Sequence, residues 1–207
     1  MNTQKFMVRS MFYIIGILTL TLGIALTIVV NLGASPIDAL LVGLYKNYGL
    51  SVGTWEYIVA TCLLLINSVV NKKMPQLLAL ITAVLVGLGI DLWLYVISMI
   101  ELSDALWISL AGLLIGTIFT GVGIATYLQA DFLPSPFDQA MLTISRIFNL
   151  SIFYSKTLLM LFFMILALFF KGPVAYGTVL ILLTSGPLIG WFYPRMQAFK
   201  IKKMEVA

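Results

Sequence analysis

The chain has 207 residues, of which 61% are hydrophobic and 10% charged, with a formal net charge of +4 and a mean hydropathy of +1.09. Soluble domains carry roughly 45–50% apolar and about 25% charged residues, so this surplus excludes a water-soluble fold and makes the bilayer the solvent. The chain contains no histidine, which removes imidazole ligands and bases, and its basic residues fall in links and tails, where they set topology and form no nucleic-acid footprint.

A helix needs about 20 mainly apolar residues to cross the hydrocarbon layer. Met11–Val30 meets that length without a charge and is read as span one. It is too long for a signal-peptide core and lacks a small-residue cleavage site, so it is expected to be retained. Ser35–Gly49 follows, apolar but interrupted by Asp38 and Lys46 and too short to cross. Span two is Val52–Val70, and span three is Pro75–Ile97, carrying Asp91. A polar link, Ser98–Ala105 with Glu101 and Asp104, leads to span four, Leu106–Leu128. A second short segment, Ser135–Asn149, precedes span five (Ile152–Phe170) and span six (Val174–Tyr193). The remainder, Pro194–Ala207, is basic and polar.

Cytoplasmic loops are enriched in Lys and Arg. With six spans and both termini inside, that side receives Lys5, Arg9, Lys72, Lys73, Arg146, Arg195, Lys200, Lys202 and Lys203, and the outer side only Lys46 and Lys171. Crossing by the short segments would move Lys72 and Lys73 outside, a poorer fit. The expectation is therefore a multi-pass membrane protein with both termini cytoplasmic and residues 196–207 as a cytoplasmic tail.

The chain repeats itself. Ser35-Pro36-x-Asp38 recurs 100 residues later as Ser135-Pro136-x-Asp138, and the register extends through Gly16/Gly116, Gly23/Gly123, Ala25/Ala125, Lys46/Arg146 and Ser51/Ser151. Beyond it the offset falls to 98, with Pro75/Pro173, Trp93/Trp191 and Tyr95/Tyr193. Matches at Gly, Pro, Ser, Asp and Trp in one register are not produced by apolar composition. The expectation is an all-α integral membrane protein, one membrane domain over residues 1–207, with repeats at about 11–97 and 106–195. Three spans per repeat is an odd number, so the copies must be inverted, the plan of many secondary transporters.

Each Ser-Pro-x-Asp element carries a helix-start signal. Proline suits the first helical position, serine suits the N-cap, and aspartate three residues on completes a capping box and meets the positive end of the helix dipole. Non-helical backbone at such a break cannot face lipid. The segments therefore either line a cavity as re-entrant helices or lie at the surface as amphipathic ones, and capping chemistry fits both. Ser35, Pro36, Asp38, Ser135, Pro136 and Asp138 are candidate residues of a solute or ion path. Asp91 is a further candidate, because charges within spans usually face a cavity or partner.

Glu56 and Lys156 hold equivalent positions near the starts of spans two and five and are expected to anchor at the interfaces. Cys62 lies in an apolar run and is expected to pack, while the Gly16…Gly23, Gly121-Val122-Gly123 and Gly186…Gly190 runs suit close helix contact. The chain contains no phosphate-binding loop, nucleophile elbow or Cys/His cluster, so neither an enzyme nor a cofactor is expected.

The Gly33-Ala34-Ser35-Pro36-Ile37-Asp38 element, with Leu50-Ser51-Val52-Gly53-Thr54-Trp55 after it, resembles the YczE/YyaS/YitT family of bacterial membrane proteins over nearly the whole chain. The second copy departs from the pattern, with Leu133-Pro134 for Gly-Ala and Phe153-Tyr154 for Gly-Thr. The resemblance implies a cytoplasmic-membrane protein and carries over no catalytic residue and no substrate. The leading expectation is a small-solute transporter or permease, with protons, cations or neutral solutes favoured because aspartate already occupies each helix start. The alternatives are a non-transporting scaffold or accessory protein that assists a partner, and a passive channel.

Overall fold

The computed structural model describes residues 3–100, 105–132 and 135–206, with the side chains at 3, 152, 153 and 204–206 left aside. Glu101, Asp104, Leu133 and Pro134 lie outside the described residues. The described residues form helices α1 (Thr3–Val29), α2 (Pro36–Tyr48), α3 (Val52–Asn71), α4 (Leu78–Ser98), α5 (Leu106–Tyr127), α6 (Pro136–Phe148), α7 (Ile152–Phe169) and α8 (Tyr176–Val206), with a single 3-10 turn at Leu128–Ala130. The order long, short, long, long occurs twice.

Five helices are long and apolar enough to cross a membrane, those over Gln4–Val29, Val52–Asn71, Leu78–Ser98, Leu106–Ala130 and Tyr176–Lys203. The sequence predicts six. The difference is α7, an 18-residue helix against 20 residues in its equivalent α3, with Tyr154–Phe169 as its described apolar stretch. The last helix also departs from expectation, because it does not stop near Tyr193 but carries Pro187 and Pro194 within it and runs on to Val206. Lys200 on that extension bonds Asp131, which Arg9 also approaches at 3.6 Å, tying the ends of α1, α5 and α8 together.

The molecule is organised around the crossing of α1 and α5, its most extensive helix contact. The two run antiparallel, since Gly16 meets Tyr127, Gly23 meets Thr120 and Gly112 meets Val30. A Cβ at Gly23 would sit 2.5 Å from the Thr120 nitrogen, and one at Gly116 would sit 2.8 Å from the Gly23 carbonyl oxygen. Close backbone approach of this kind needs small residues and gains dispersion energy where lipid offers no hydrophobic drive. The contacts exchange between the copies. Gly16 on Tyr127 corresponds to Gly116 on Thr27, and Gly23 on Thr120 corresponds to Gly123 on Leu20.

The same correspondence runs through the other pairs. Helix α4 packs on α1 as α8 packs on α5, and α2 packs on α7 as α6 packs on α3. One pair breaks it. Helices α3 and α4 close tightly where Gly53 meets Gly87, whereas α7 and α8 share no comparable seam. The equivalents of those glycines are Phe153 and Ser185, so the residues that permit the approach are missing. Helix α8 accordingly stands out from the bundle, and nothing lies within 4 Å of a Cβ built at Gly186 or Gly190, so that glycine run does not serve helix packing here. Cys62 is likewise exposed on the outer surface of α3, not packed.

Candidate functional site

Both Ser-Pro-x-Asp elements start a helix in the same conformation. Ser35 has φ −59° and ψ 157°, Ser135 has φ −58° and ψ 158°, and each serine oxygen accepts from the N–H of its aspartate. Those bonds measure 3.3 Å at Asp38 and 3.2 Å at Asp138. The return bond goes from the serine hydroxyl to the aspartate carboxylate, at 2.8 Å in the second copy. Pro36 and Pro136 occupy the first turn, where a missing N–H costs nothing. Gly49 at φ 74° and Asn149 at φ 51° end the two helices, each suited to the left-handed conformation.

The two short helices sit differently. Pro36, Asp38 and the run from Ala39 to Leu44 are all buried, so α2 is enclosed by protein and is not a surface amphipathic helix. Its neighbours include Leu63, Leu159, Phe163 and Ala167, from α3 and α7. In α6 only Pro136, Ala140 and Thr143 are buried, and the rest of the helix borders the surface.

The surroundings of the two aspartates also differ. Asp38 is buried at 7% exposure, and Glu56, on the second turn of α3, is buried at 6% within its electrostatic reach. Glu56 is therefore not an interfacial anchor. It fails in that role because α2 and α3 fold against each other and enclose that turn of α3. Asp138 accepts a hydrogen bond from the Tyr127 hydroxyl at 3.0 Å and has Lys156 within electrostatic reach. Lys156, half-buried, likewise faces into the protein beside Asp138. An acid beside an acid in one copy thus matches an acid beside a base in the other.

Asp91 is engaged elsewhere. Its carboxylate accepts from the Gly53 N–H at 2.8 Å and from the Ser51 hydroxyl, capping the start of α3 from α4. Charge at a helix N-terminus is favourable, and these bonds account for a carboxylate in span three. They tie Asp91 to neither Asp38 nor Asp138.

Two clefts, one mainly apolar and one polar, lie at opposite ends of α3. One of about 720 Å³ is lined by Val42, Lys46, Ser51, Asp91 and Pro173 among others. The other, about 200 Å³, is lined by Asn67, Asn71, Lys73, Gln139, Leu142 and Arg146 among others. Val42 and Leu142, and Lys46 and Arg146, are equivalent positions 100 residues apart. In the second cleft Arg146 donates to the Asn71 side-chain oxygen at 3.0 Å, and Asn71 donates to Thr143 at 2.9 Å. Neither Asp38 nor Asp138 lines either cleft.

Sequence reasoning passed over Glu56, Lys156 and Tyr127 as members of these clusters. The first two carried a signal, since each stands 18 residues after its aspartate and their charges oppose. Tyr127 carried none, because its equivalent is Thr27 and only the α5–α6 turn brings its hydroxyl to Asp138.

These features define a multi-pass helical membrane protein in which each half contributes a serine-capped, proline-started short helix. Among the described residues no group of three His, Cys, Asp or Glu could hold a metal ion. The chain belongs to DUF6198, a family of unknown function, whose profile matches residues 7–194. It is 43% identical over 195 residues, 94% of this chain and 97% of the relative, to the uncharacterized protein YyaS of Bacillus subtilis (strain 168). It is 26% identical over 193 residues to the uncharacterized membrane protein YczE of the same organism, covering 93% of this chain and 88% of that one. These relatives match the family that the repeated motif resembles. No solved structure is significantly similar to the chain.

Proposed function

We propose that the protein is a small-solute transporter of the bacterial cytoplasmic membrane, built as two inverted repeats of three spans with α7 as the sixth. The observation that carries this reading is that the two capped short helices each border a cleft, at opposite ends of α3, through the equivalent pairs Val42/Leu142 and Lys46/Arg146. Inverted repeats with short interrupted helices at equivalent places are a common plan for alternating access, in which one half rocks against the other. The exchanging contacts of α1 and α5 support it, because an antiparallel pair related in this way has its two-fold axis across the helices. The Lys/Arg bias supports cytoplasmic termini, since Arg9, Lys73, Arg146 and Lys200 gather at the end opposite Lys46 and Lys171.

Alternating access can be tested without knowing the solute. In a Cys62→Ser background, Gln76→Cys and Gln139→Cys place two thiols across the mouth of the smaller cleft, where the native side chains approach at 3.5 Å. Joining them with a short bismaleimide should raise the maleimide reactivity of a third cysteine, Val42→Cys, in the opposite cleft. Unchanged reactivity at position 42 would leave a static bundle and favour the accessory-protein reading, to which the bare face of α8 is suited.

A further inference from the structure

The contact of α3 with α6 is polar where its counterpart is not. Helix α2 meets α7 and the link after it through Ala39, Gly43 and Ala167, all buried. The backbones come close there, since a Cβ at Gly43 would sit 2.8 Å from the Phe170 carbonyl oxygen. The residues 100 positions away are Gln139, Thr143 and Asn67, and all three line the smaller cleft. The first copy shows that helix packing at these places needs no amide and no hydroxyl.

In the polar copy the side chains form a hydrogen-bonded ladder. Asn67, buried, donates to the Pro136 carbonyl oxygen at 3.2 Å, at the start of α6. Asn71 donates to the Asn67 carbonyl oxygen at 2.7 Å and to the Thr143 hydroxyl at 2.9 Å. Its own side-chain oxygen receives Arg146 at 3.0 Å, which holds the guanidinium at the cleft. Lys73 lines the same cleft, and no acid is among the described residues that do. The ion pairs among the described residues both involve Asp131, so neither Arg146 nor Lys73 is compensated by one. The Lys/Arg bias of topology accounts for cations at this end of the molecule. It does not account for the amides beside them, or for a guanidinium fixed by a ladder.

We propose that the smaller cleft binds a small oxyanion, a carboxylate or a phosphate, with Arg146 and Lys73 opposing its charge beside the Gln76 amide. A guanidinium presents parallel N–H groups that fit the oxygens of carboxylate and phosphate, and an ammonium adds a point charge. At about 200 Å³ the cleft is smaller than the roughly 300–1,000 Å³ of sites for drug-sized ligands, so the occupant is small. The aspartates that favour cations at the helix starts lie outside the cleft, so that preference does not extend to it. Lys46, the equivalent of Arg146, borders the other cleft and presents a cation there too. That the bound anion is the transported solute rests on the transport reading; its binding is a property of the purified protein.

The test is arginine labelling of the full chain with phenylglyoxal in detergent, read by peptide mass spectrometry. Arg9 and Arg195, the other arginines of the chain, serve as internal references. At an ionic strength held constant with sodium chloride, inorganic phosphate or succinate should protect Arg146 and leave Arg9 and Arg195 unchanged. Succinamide, the neutral analogue, should not protect. Lys73→Gln, at an exposed position beyond the end of α3, should raise the half-protecting succinate concentration by about tenfold. Protection only in vesicles containing phosphatidylglycerol, and not in phosphatidylcholine, supports the oxyanion site and identifies a lipid headgroup as its source. Equal labelling of Arg146 with and without each anion in both settings overturns the site, as does protection by chloride alone to the same extent. An unchanged half-protecting concentration in Lys73→Gln overturns the two-cation site equally. Protection of Arg146 without any cleft alternation would sink the transport reading and leave the site standing, and alternation without protection would do the reverse.

Discussion

Glu56 and Lys156 stand at equivalent positions 100 residues apart, carry opposite charges, and each lies beside the aspartate of its own Ser-Pro-x-Asp element. The two matched segments therefore share a helix start and differ in the charge next to it. One half sets an acid beside its aspartate and the other a base.

The first prediction concerns the cost of that arrangement. In alkaline buffer, Glu56→Gln should stabilise the protein, because it removes a negative charge enclosed beside another acid, Asp38. A gain of about 1 kcal/mol corresponds to roughly 2–4 °C in a protein of this size. Thermal unfolding in detergent measures it, and a lowered midpoint would show that the Glu56 charge is already satisfied.

Lys156→Gln should do the reverse. Asp138 then keeps Tyr127 and Ser135 but loses its cation, so the midpoint should fall. Lys156→Glu should fall further, since it places like charges together beside Asp138. Equal melting of all three proteins would show that Lys156 points its charge elsewhere.

The α1–α5 crossing gives a paired prediction. Gly23→Ala and Gly123→Ala each force a methyl into the backbone of the other helix, and each should cost about 1–3 kcal/mol of stability. Gly186→Ala and Gly190→Ala, where nothing lies within 4 Å, should be close to neutral. Denaturant or thermal titration of the four variants separates the seam from the bare face of α8.

Asp91 is predicted to act on stability. Asp91→Ala removes the cap on α3 and should cost about 1–2 kcal/mol, while Asp91→Asn should recover much of it. The cleft test at position 42 supplies the second readout. If Asp91→Asn leaves the folded midpoint unchanged but abolishes reactivity changes there, the residue serves the ion path and its capping role is secondary.

Topology has its own measurement. In the Cys62→Ser background, Lys46→Cys and Lys171→Cys should react with an impermeant maleimide on intact cells, and Lys73→Cys and Lys202→Cys only after permeabilisation. Labelling of position 73 from outside would contradict cytoplasmic termini and the inverted arrangement together.

Much of the fold was legible because it rests on local or compositional signals. Apolar run length set the long helices, of which α7, with 18 residues, is the shortest. Serine, proline and aspartate at fixed spacing set the starts of α2 and α6, since capping needs only residues within one turn. Pro194 misled because a proline in a helix removes one bond and kinks it, whereas α8 continues with its end held by Lys200 on Asp131.

The sequence by itself determined that this protein belongs in a membrane, where most of its helices run, that it is duplicated, and how its two short helices begin. Those are consequences of hydrophobicity and of bonds between residues close in the chain. Only the tertiary structure decided that α2 is enclosed while α6 keeps an open face, that Asp91 caps a neighbouring helix, and that Glu56 stands buried beside Asp38. Each depends on which helix packs against which, and that was settled by small differences between the copies. Gly53 and Gly87 close one seam, and Phe153 and Ser185 provide no such glycines in the other.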